Sequence, residues 1–217
     1  MKQAAYIIMG AGGHAAVLAD ALLAANARVL GFTDSDPVRH GATLCGLPVL
    51  GGDDVLAAYD SRSICLINGL GSLDNRAPSA RSLLQQARMA QGWRFSNVVH
   101  PSACISQFAR FGSGVQVMAG CVVQAGACIG DGVILNTRSV IEHDTVVGAW
   151  SHVASGATVC GQVRLGEFCH VGAGSVIRQG VQLGSRCLIG AGAAVVQDRP
   201  DEVVLVGVPA QPLERKR

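Results

Sequence analysis

Residues 129–153 read IGDGVILNTRSVIEHDTVVGAWSHV, and an aliphatic residue returns in this stretch at every sixth position. The same period extends in both directions without an insertion and covers 16 consecutive positions, of which 15 are aliphatic and one is aromatic. These anchor positions are Ile105, Phe111, Val117, Val123, Ile129, Leu135, Ile141, Val147, Val153, Val159, Leu165, Val171, Ile177, Leu183, Ile189 and Val195. A period of six residues indicates a hexapeptide-repeat parallel β-helix.

The repeat has a direct structural interpretation. Three sides of six residues make a triangular coil of 18 residues, in which each side is a short strand. Positions one coil apart then stack at the interstrand spacing of about 4.8 Å, with the anchors pointing inward. Glycines that directly follow the anchors, such as Gly130 and Gly148, are expected to supply corner conformations that other residues disfavour. Neither an α-helix nor a β-hairpin has this period, so the sequence predicts about five uninterrupted coils.

The composition argues against several classes of protein. The chain has 217 residues with 4% aromatic and 15% charged residues and a net charge of +2, so we expect no nucleic-acid or membrane surface. No apolar run reaches the roughly 20 residues that a membrane span needs, and the first residues do not resemble a signal peptide. Three of the eight cysteines, Cys121, Cys169 and Cys187, occupy the small inward position of the repeat. We therefore expect buried thiols in a cytoplasmic protein rather than disulfides.

The first 100 residues have an α/β pattern. The segment AAYIIM at 4–9 predicts a buried parallel strand, and the glycine turn at 10–15 leads into a predicted helix at 16–25 and a second strand at 28–32. Strand, glycine turn, helix and strand form a βαβ unit, which opens a Rossmann-like α/β domain.

The remaining elements complete a two-domain prediction. We expect an α/β domain at 1–100 and a β-helix domain at 101–217 with a C-terminal cap. The smaller elements expected are helices at 53–59 and 77–91, strands at 63–67 and 94–99, a cap at 203–210 and a solvated tail at 214–217.

The glycine turn predicts a phosphate-binding site. Gly10-Ala11-Gly12-Gly13-His14-Ala15 matches G-x-G-x-x-A after a strand, which lets the backbone approach a phosphate at a helix N-terminus. Asp34 follows the second strand and could hold a ribose or sugar hydroxyl, while His14 could hydrogen-bond a ligand. NAD, another nucleotide-linked ligand, and a tight turn without a ligand all remain open. The domain is short for a complete dinucleotide fold, which favours the second of these.

A polar segment interrupts the otherwise uncharged repeat. By its place in the hexapeptide, His143 points outward near a corner, where a neutral imidazole could take a proton from an attacking amine or hydroxyl. A carboxylate of Glu142 or Asp144 could orient the ring. His152 lies half a coil further on, and His170 stacks one coil beyond His152. Exposed histidines without a function are the alternative, and no three-ligand metal site follows from the pattern, so we expect no metal.

At these residues the chain resembles a known family. The hexapeptide repeat, the segment from Asn136 to His152 and the 207–210 cap are similar to those of left-handed β-helix acyltransferases. The glycine turn with Asp34 resembles the group of sialic acid O-acetyltransferases and nucleotide-aminosugar N-acetyltransferases. The resemblance spans essentially the whole chain. It implies acetyl-CoA as co-substrate and a homotrimer with active sites between neighbouring β-helices.

The resemblance also implies roles for individual residues. His143 would be the general base and Asp144 would increase its basicity. His152 would contact the thioester region of acetyl-CoA, and Ala173 and Ala191 would line the CoA groove. The nucleotide-sugar pocket would comprise Gly12, Gly13, His14, Asp34, Ser35 and Gly69.

The expected reaction is acetyl-CoA-dependent N-acetylation of a UDP-, dTDP- or GDP-linked 4-amino-deoxysugar in surface-glycan precursor synthesis. Direct attack assisted by His143 is favoured over a cysteine-linked route, because the repeat places several cysteines inside. Two alternatives remain: O-acetylation of sialic acid or a related sugar, and a non-catalytic trimeric scaffold or metal-binding β-helix. Thiol release from acetyl-CoA distinguishes the enzymes from the scaffold.

Overall fold

The computed structural model describes residues 5–71 and 78–213, and the chain divides into two compact units. The first unit comprises the described residues up to Gly71 together with Ala80–Pro101. The second contains the described residues from Ser102 onward, together with residues 78–79.

In chain order the elements of the first unit are β1 (Ala5–Met9), α1 (Gly13–Ala24), β2 (Arg28–Thr33), a 3₁₀ helix (Pro37–Arg39), β3 (Thr43–Leu44), β4 (Leu47–Gly51), a 3₁₀ helix (Asp53–Ala58), β5 (Ile64–Asn68), α2 (Ala80–Ala90), β6 (Arg94–Phe95) and β7 (Val98–Val99). Six of these strands form one sheet, with the order β3-β4-β2-β1-β5-β6. The pairs that join β4, β2, β1, β5 and β6 are parallel, and β3 pairs antiparallel with β4. The carboxyl ends of β1, β2 and β5 therefore meet at one edge of the sheet.

The apolar pattern explains these elements. Strand β1 buries Ile7 and Ile8 completely, as expected for a central parallel strand covered on both faces. Helix α1 buries Ala15, Leu18 and Ala19, which follow the i, i+3, i+4 spacing of one helical face. Helix α1 begins at Gly13, three residues before the predicted start, because Gly12 serves as its N-cap in an extended conformation.

The β3–β4 hairpin is an element that the sequence analysis missed. Its two-residue turn consists of Cys45 and Gly46, which both have positive φ, at 51° and 74°. Positive φ at both positions is the geometry of a type I′ turn, for which Asn-Gly or Asp-Gly is the usual sequence signal. A cysteine in the first position concealed it. The expected helix at 53–59 is a 3₁₀ helix, and the expected helix at 77–91 is observed at Ala80–Ala90, with residue 77 outside the described ranges.

The second unit is the predicted parallel β-helix. It has 16 consecutive two-residue strands between Cys104 and Val195, and each anchor residue is the second residue of its strand. Strands 18 residues apart pair in parallel, for example Val140 with Thr158 and Ile141 with Val159. The strands form three sheets, which we name sheet A (Gln116–Val117, Ile134–Leu135, His152–Val153, His170–Val171, Leu188–Ile189, Val204–Val206), sheet B (Cys104–Ile105, Val122–Val123, Val140–Ile141, Thr158–Val159, Val176–Ile177, Ala194–Val195) and sheet C (Arg110–Phe111, Cys128–Ile129, Val146–Val147, Arg164–Leu165, Gln182–Leu183).

The glycines that follow the anchors do not supply the corner conformations that were expected of them. Positive φ occurs two residues after them, as at Gly132 and Trp150, with φ of 62° and 63°. Glycine is needed after the anchor because the next coil passes too close, and a Cβ on Gly130 would lie 2.6 Å from the Ala149 nitrogen. The expectation that these glycines turn the corners was therefore wrong.

The interior of the β-helix contains the anchors and the small residues. Cys121, Cys169 and Cys187 are buried, as predicted, and the Cys187 amide lies 3.4 Å from the Cys169 sulfur, which confirms that the two residues stack. All eight cysteines lie in described positions and are free thiols. Strand Val204–Val206 continues sheet A and pairs antiparallel with Gln211–Pro212 in the cap. The expected tail at 214–217 lies outside the described residues. Across residues 5–71 and 78–213, no helix is long and apolar enough to cross a membrane.

Candidate active site

His143 and Asp144 form a hydrogen-bonded pair in the turn that follows strand Val140–Ile141. The Nδ1 atom of His143 lies 2.9 Å from Oδ2 of Asp144. Asp144 adopts a left-handed conformation, with φ of 59°, and this corner brings its short carboxylate to the ring of the preceding residue. Both side chains are about half exposed, at 49% and 62%, so the pair is accessible to a ligand. Because a carboxylate only accepts, Nδ1 carries the proton and Nε2 is the basic nitrogen.

Two glycines make room for this pair. A Cβ on Gly161, one coil after His143, would lie 2.6 Å from Nε2 and 2.8 Å from Cε1 of the imidazole. A Cβ on Gly126, one coil before Asp144, would contact the Asp144 carboxylate. The sequence analysis missed both residues, although a glycine 18 positions from each member of the pair is a readable signal. The imidazole and the carboxylate therefore pack directly against the backbone of glycine residues on the neighbouring coils.

His152 lies on sheet A, away from the corner that holds His143. It is 93% buried, and its Nε2 lies 3.2 Å from Nδ2 of Asn136. The His170 ring, one coil further, packs edge-to-face against it with ring centroids 5.0 Å apart and an interplanar angle of 87°. The three histidines of the segment therefore separate into one exposed residue and one stacked pair.

Ala173 and Ala191 lie at the corner between sheets A and B. Both are exposed and stack one coil apart, with the Gly192 amide donating to the Ala173 carbonyl at 2.9 Å. A Cβ on Gly174 or Gly192 would meet nothing within 4 Å, so the surface beside the two alanines is open. This open strip of exposed backbone can accommodate an extended ligand.

The His143 corner and the alanine strip flank the same sheet at opposite edges. Sheet B strands begin after the strip, at Val176 and Ala194, and the strand Val140–Ile141 ends at the His143 turn. One six-residue side spans up to about 20 Å at 3.3 Å per residue, whereas proton transfer needs atoms about 3 Å apart. Within one chain, the structure does not bring the base and the strip together.

In the first unit, the glycine turn leaves its outer surface open. Gly10 has φ of 96°, and its amide donates to the Thr33 carbonyl at 2.7 Å, which ties the turn to the end of β2. Gly12 and Gly13 are exposed, and a Cβ on either would meet nothing within 4 Å. Packing among the described residues therefore does not require these two glycines. The first turn of α1 contains no acidic side chain, so its amide groups and positive dipole end suit an anion.

Asp34 fixes the conformation of this turn. Its Oδ2 accepts from the Ala11 amide at 2.8 Å, and its Oδ1 accepts from the Asp36 amide at 2.9 Å. Burial opposes ionisation, but these two hydrogen bonds, with Arg39 and His40 nearby, outweigh it and lower the pKa of the Asp34 carboxyl below its ordinary value. Each oxygen already holds one hydrogen bond, which reduces what Asp34 can offer to a sugar hydroxyl.

Arg39 and His40 are further residues of this edge that the sequence analysis did not find. The Arg39 guanidinium donates to the Ala11 carbonyl at 2.6 Å and lies 3.7 Å from the Asp36 carboxylate, and His40 Nε2 lies 2.8 Å from the Asp34 carbonyl oxygen. Arg39 and His40 follow Pro37, and nothing in the residue pattern there distinguishes them from the polar residues of an ordinary exposed loop.

We expect Asp34→Asn to destabilise the first unit in a pH-dependent way. An amide would direct N–H groups at one of the two donating backbone amides, at a cost of about 0.5–1.5 kcal/mol at neutral pH, because the carboxyl is only partly buried. The folded pKa is lowered, so the contribution of Asp34 is present above the unfolded value of about 3.9 and is lost as the pH falls through the folded pKa. Urea unfolding of both proteins from pH 7 down to pH 2 measures the difference.

The exposed residue Asp20 on α1 provides a matched control for that measurement. Asp20→Asn should leave the urea midpoint unchanged across the pH range. A constant gap between wild type and Asp34→Asn down to pH 2 would contradict the assignment of the effect to the ionised carboxylate.

The remaining predicted residues lie along the same edge as the turn. A Cβ on Gly69 would lie 2.6 Å from the Met9 carbonyl oxygen and 2.9 Å from the Ala15 Cβ, so only glycine fits there. A Cβ on Gly71 would lie 3.5 Å from the Cβ of His14, which places His14 beside the loop after β5. Ser35 is exposed.

A reactive cysteine thiol and a metal site are two further possibilities that the sequence raises. Burial raises the pKa of the Cys121 thiol, and the hydrogen-bonded Cys187 together with burial raises the pKa of the Cys169 thiol. Both thiols are therefore protonated and poor nucleophiles. In the part of the chain that the structure describes, no group of three or more His, Cys, Asp or Glu is arranged to hold a metal ion.

Parts of both units match known protein families. Residues 6–83 match the PglD N-terminal domain, and residues 162–197 match the bacterial transferase hexapeptide model of six repeats. A variant of perosamine N-acetyltransferase from Caulobacter crescentus, solved with CoA and GDP-perosamine, is 36% identical over 97% of both chains, with a TM-score of 0.89. The chain belongs to the nucleotide-aminosugar N-acetyltransferases of the hexapeptide-repeat family.

Two other solved structures are similar over the same length. The acetyltransferase domain of PglB from Neisseria gonorrhoeae FA1090, solved with acetyl coenzyme A, is 34% identical over 97% of this chain and 100% of that chain, with a TM-score of 0.88. WeeI from Acinetobacter baumannii AYE shares the fold at 20% identity, 97% and 100% coverage and a TM-score of 0.81. The predicted fold class, a Rossmann-like α/β unit followed by a left-handed parallel β-helix, and the predicted family are confirmed.

Proposed function

We propose that this enzyme transfers the acetyl group of acetyl-CoA to the amino group of a nucleotide-linked 4-amino-deoxysugar, in the synthesis of a surface-glycan precursor. The observation that carries the proposal is the hydrogen bond of 2.9 Å between His143 Nδ1 and Asp144, which leaves Nε2 as an accessible base. A relative that is similar over 97% of both chains was solved with CoA and GDP-perosamine, which supports this choice of substrates.

His143 acts as the general base. Its Nε2 accepts a proton from the amine as the amine attacks the thioester carbonyl of acetyl-CoA, and the imidazolium can return the proton to the departing thiolate. Asp144 accepts from Nδ1–H, which fixes the tautomer and stabilises the charge that the ring acquires. The buried thiols of Cys121 and Cys169 have raised pKa values, so neither of these two residues suits an acetyl-cysteine route.

The nucleotide sugar binds at the edge formed by the glycine turn. Gly12 and Gly13 offer open backbone at the N-terminus of α1 to the diphosphate. His14, Ser35 and Gly69 complete the pocket, together with Asp34, whose main contribution is to hold the turn in shape. The relative's GDP-linked substrate favours a GDP-linked sugar as the first to test.

Acetyl-CoA binds along the corner between sheets A and B. Ala173 and Ala191 expose backbone groups to the extended pantetheine chain, and none of the residues that the structure describes obstructs the neighbouring Gly174 and Gly192. His152, on the strand that precedes this corner on an earlier coil, contacts the thioester region.

The active site is completed by a second copy of the chain in a homotrimer. His143 and the alanine strip lie at opposite edges of sheet B, so packing this face against a neighbour would bring the base of one chain to the strip of another. The composition of the face supports this. Its outward strand positions carry no charge, whereas sheet C has Arg110 and Arg164 at the equivalent positions; the outward residues of sheet B are Cys104, Val122, Val140, Thr158, Val176 and Ala194.

The proposal includes two statements about the whole protein. We assign a nucleotide-sugar-binding domain to 1–100 and the acetyltransferase domain to 101–217, which is supported by the division between Pro101 and Ser102. We assign the enzyme to the cytoplasm, since eight free thiols suit a reducing compartment.

The test is thiol release from acetyl-CoA in the presence of GDP-, UDP- and dTDP-linked 4-amino sugars, with free and CMP-linked sialic acid as hydroxyl acceptors. We expect turnover with one of the amino sugars, and the preferred nucleotide identifies what the first domain recognises. Turnover with a hydroxyl acceptor alone would replace N-acetylation by O-acetylation. Absence of acetyl-CoA binding would reject the enzyme altogether.

A further inference from the structure

His170 is placed in direct register with His152. The two residues pair across adjacent strands of sheet A, and their rings meet edge-to-face with centroids 5.0 Å apart. Ile134 precedes His152 in the same stack and Leu188 follows His170, so the two imidazoles interrupt an aliphatic column. The mechanism proposed above gives His170 no role.

The hydrogen bonds of Asn136 define the tautomer of His152. The Thr137 amide donates to Asn136 Oδ1 at 2.8 Å, so the amide nitrogen of Asn136 is the atom that faces His152, at 3.2 Å from Nε2. An amide nitrogen only donates, so Nε2 must accept and the ring proton of His152 resides on Nδ1. A change in ring orientation would break this hydrogen bond.

His170 makes its contribution through its ring and not through Nδ1. That nitrogen is buried and has no hydrogen-bond partner among the described residues. Burial also lowers the pKa of His170, so the ring is neutral at neutral pH. An unsatisfied buried nitrogen is unfavourable, whereas the edge-to-face contact of the His170 ring with His152 is favourable.

We propose that His170 is a positioning residue that holds the ring of His152 in the orientation and tautomer required for acetyl-CoA binding. The effect of His170 on acetyl-CoA binding rests on the proposed function, in which His152 contacts the thioester. The contacts of the His152 ring with Asn136 and His170 are present in the structure and do not depend on that role.

The experiment compares two substitutions of similar size in the full-length enzyme. His170→Leu removes the aromatic edge and matches Leu188 in the same column, so the fold should be retained. His170→Phe keeps a ring of the same orientation and removes the unsatisfied nitrogen. We expect His170→Leu to raise KM for acetyl-CoA about tenfold, which corresponds to about 1.4 kcal/mol, with KM for the amino sugar unchanged. His170→Phe should restore KM to within about threefold of wild type and unfold at the same or a higher temperature.

A spectroscopic measurement reads the position of His152 without acetyl-CoA. Long-range ¹H–¹⁵N correlation on ¹⁵N-histidine-labelled enzyme should show His152 as a single Nδ1–H tautomer in wild type and His170→Phe, and as an average of both tautomers in His170→Leu. An unchanged His152 tautomer in His170→Leu would overturn the proposal, as would a folded His170→Phe that binds acetyl-CoA as weakly as His170→Leu.

An error in the proposed role of His152 at the thioester would give a different experimental result. If His152→Ala binds acetyl-CoA normally, then His152 does not contact the thioester region and the assigned role of that residue is wrong. A loss of binding in His152→Ala with an unchanged KM in His170→Leu would instead reject only the positioning role of His170.

Discussion

Replacing His143 by alanine is expected to lower kcat by roughly 10²–10⁴-fold, the range that a general base contributes. The imidazole is the group whose Nε2 can take the proton of the amine, and its Nδ1–H is held by Asp144 at 2.9 Å. Neither substrate depends on this proton acceptor for binding, so KM for both substrates should change little. Thiol release from acetyl-CoA under saturating amino sugar measures kcat directly.

The fold should not be affected by this substitution. The His143 and Asp144 side chains are 49% and 62% exposed, and even fully charged pairs with such exposure contribute only about 0–1 kcal/mol to stability. The thermal midpoint of His143→Ala should therefore remain close to that of wild type. A large fall in kcat with an unchanged midpoint identifies chemistry, whereas parallel losses of kcat and stability would identify a structural residue.

Glu142 provides the matched control for the carboxylate. It is adjacent to His143, but the hydrogen bond to the imidazole comes from Asp144. Glu142→Gln should therefore retain kcat within about threefold, while Asp144→Asn should lower it, since the amide no longer stabilises the imidazolium. Full turnover in His143→Ala would remove this residue from the role of base and would require another acceptor for the amine proton.

The fold was readable from the sequence because the six-residue period is set by one dominant interaction. Every anchor from Ile105 to Val195 is the second residue of a strand, since only inward aliphatic side chains fill a narrow prism. The exposed position of His143 followed from the same register. The period could not reveal why a glycine follows a given anchor, because the close approach of Gly130 to the next coil depends on three-dimensional spacing.

The details of both candidate sites were less predictable for a related reason. The backbone hydrogen bonds of Asp34 join residues 23 positions apart, and the Arg39 contact with Ala11 joins residues 28 apart. No local pattern encodes such pairs. Within the β-helix the partners are 18 residues apart, so Gly161 beneath His143 was in principle visible in the repeat. Gly161 was missed because glycines were interpreted as corner residues and not as positions that leave space for a neighbouring side chain.

Replacing Gly161 by alanine is expected to lower kcat about 10²-fold by moving the His143 imidazole. The new Cβ would lie 2.6 Å from Nε2 and 2.8 Å from Cε1. Non-bonded contacts of a Cβ this short essentially do not occur in proteins, so the ring must shift. A displacement of about 1 Å of a catalytic group can cost 10²-fold in rate. Alanine is compatible with the backbone here, because Ala125 occupies the equivalent corner two coils earlier. The same thiol-release assay, with a thermal melt of each protein, measures the effect.

Gln179→Ala is the control for this prediction, since it changes the equivalent corner one coil beyond Gly161, on the side away from His143. It should leave both kcat and the thermal midpoint unchanged. Because Gly161→Ala adds one methyl group and removes no hydrogen bond or charge, a fall in kcat with an unchanged KM for the amino sugar in a folded protein identifies displacement of the ring rather than exclusion of the substrate. Full activity in folded Gly161→Ala would mean that His143 works from a different rotamer, one in which the imidazole does not rest on Gly161.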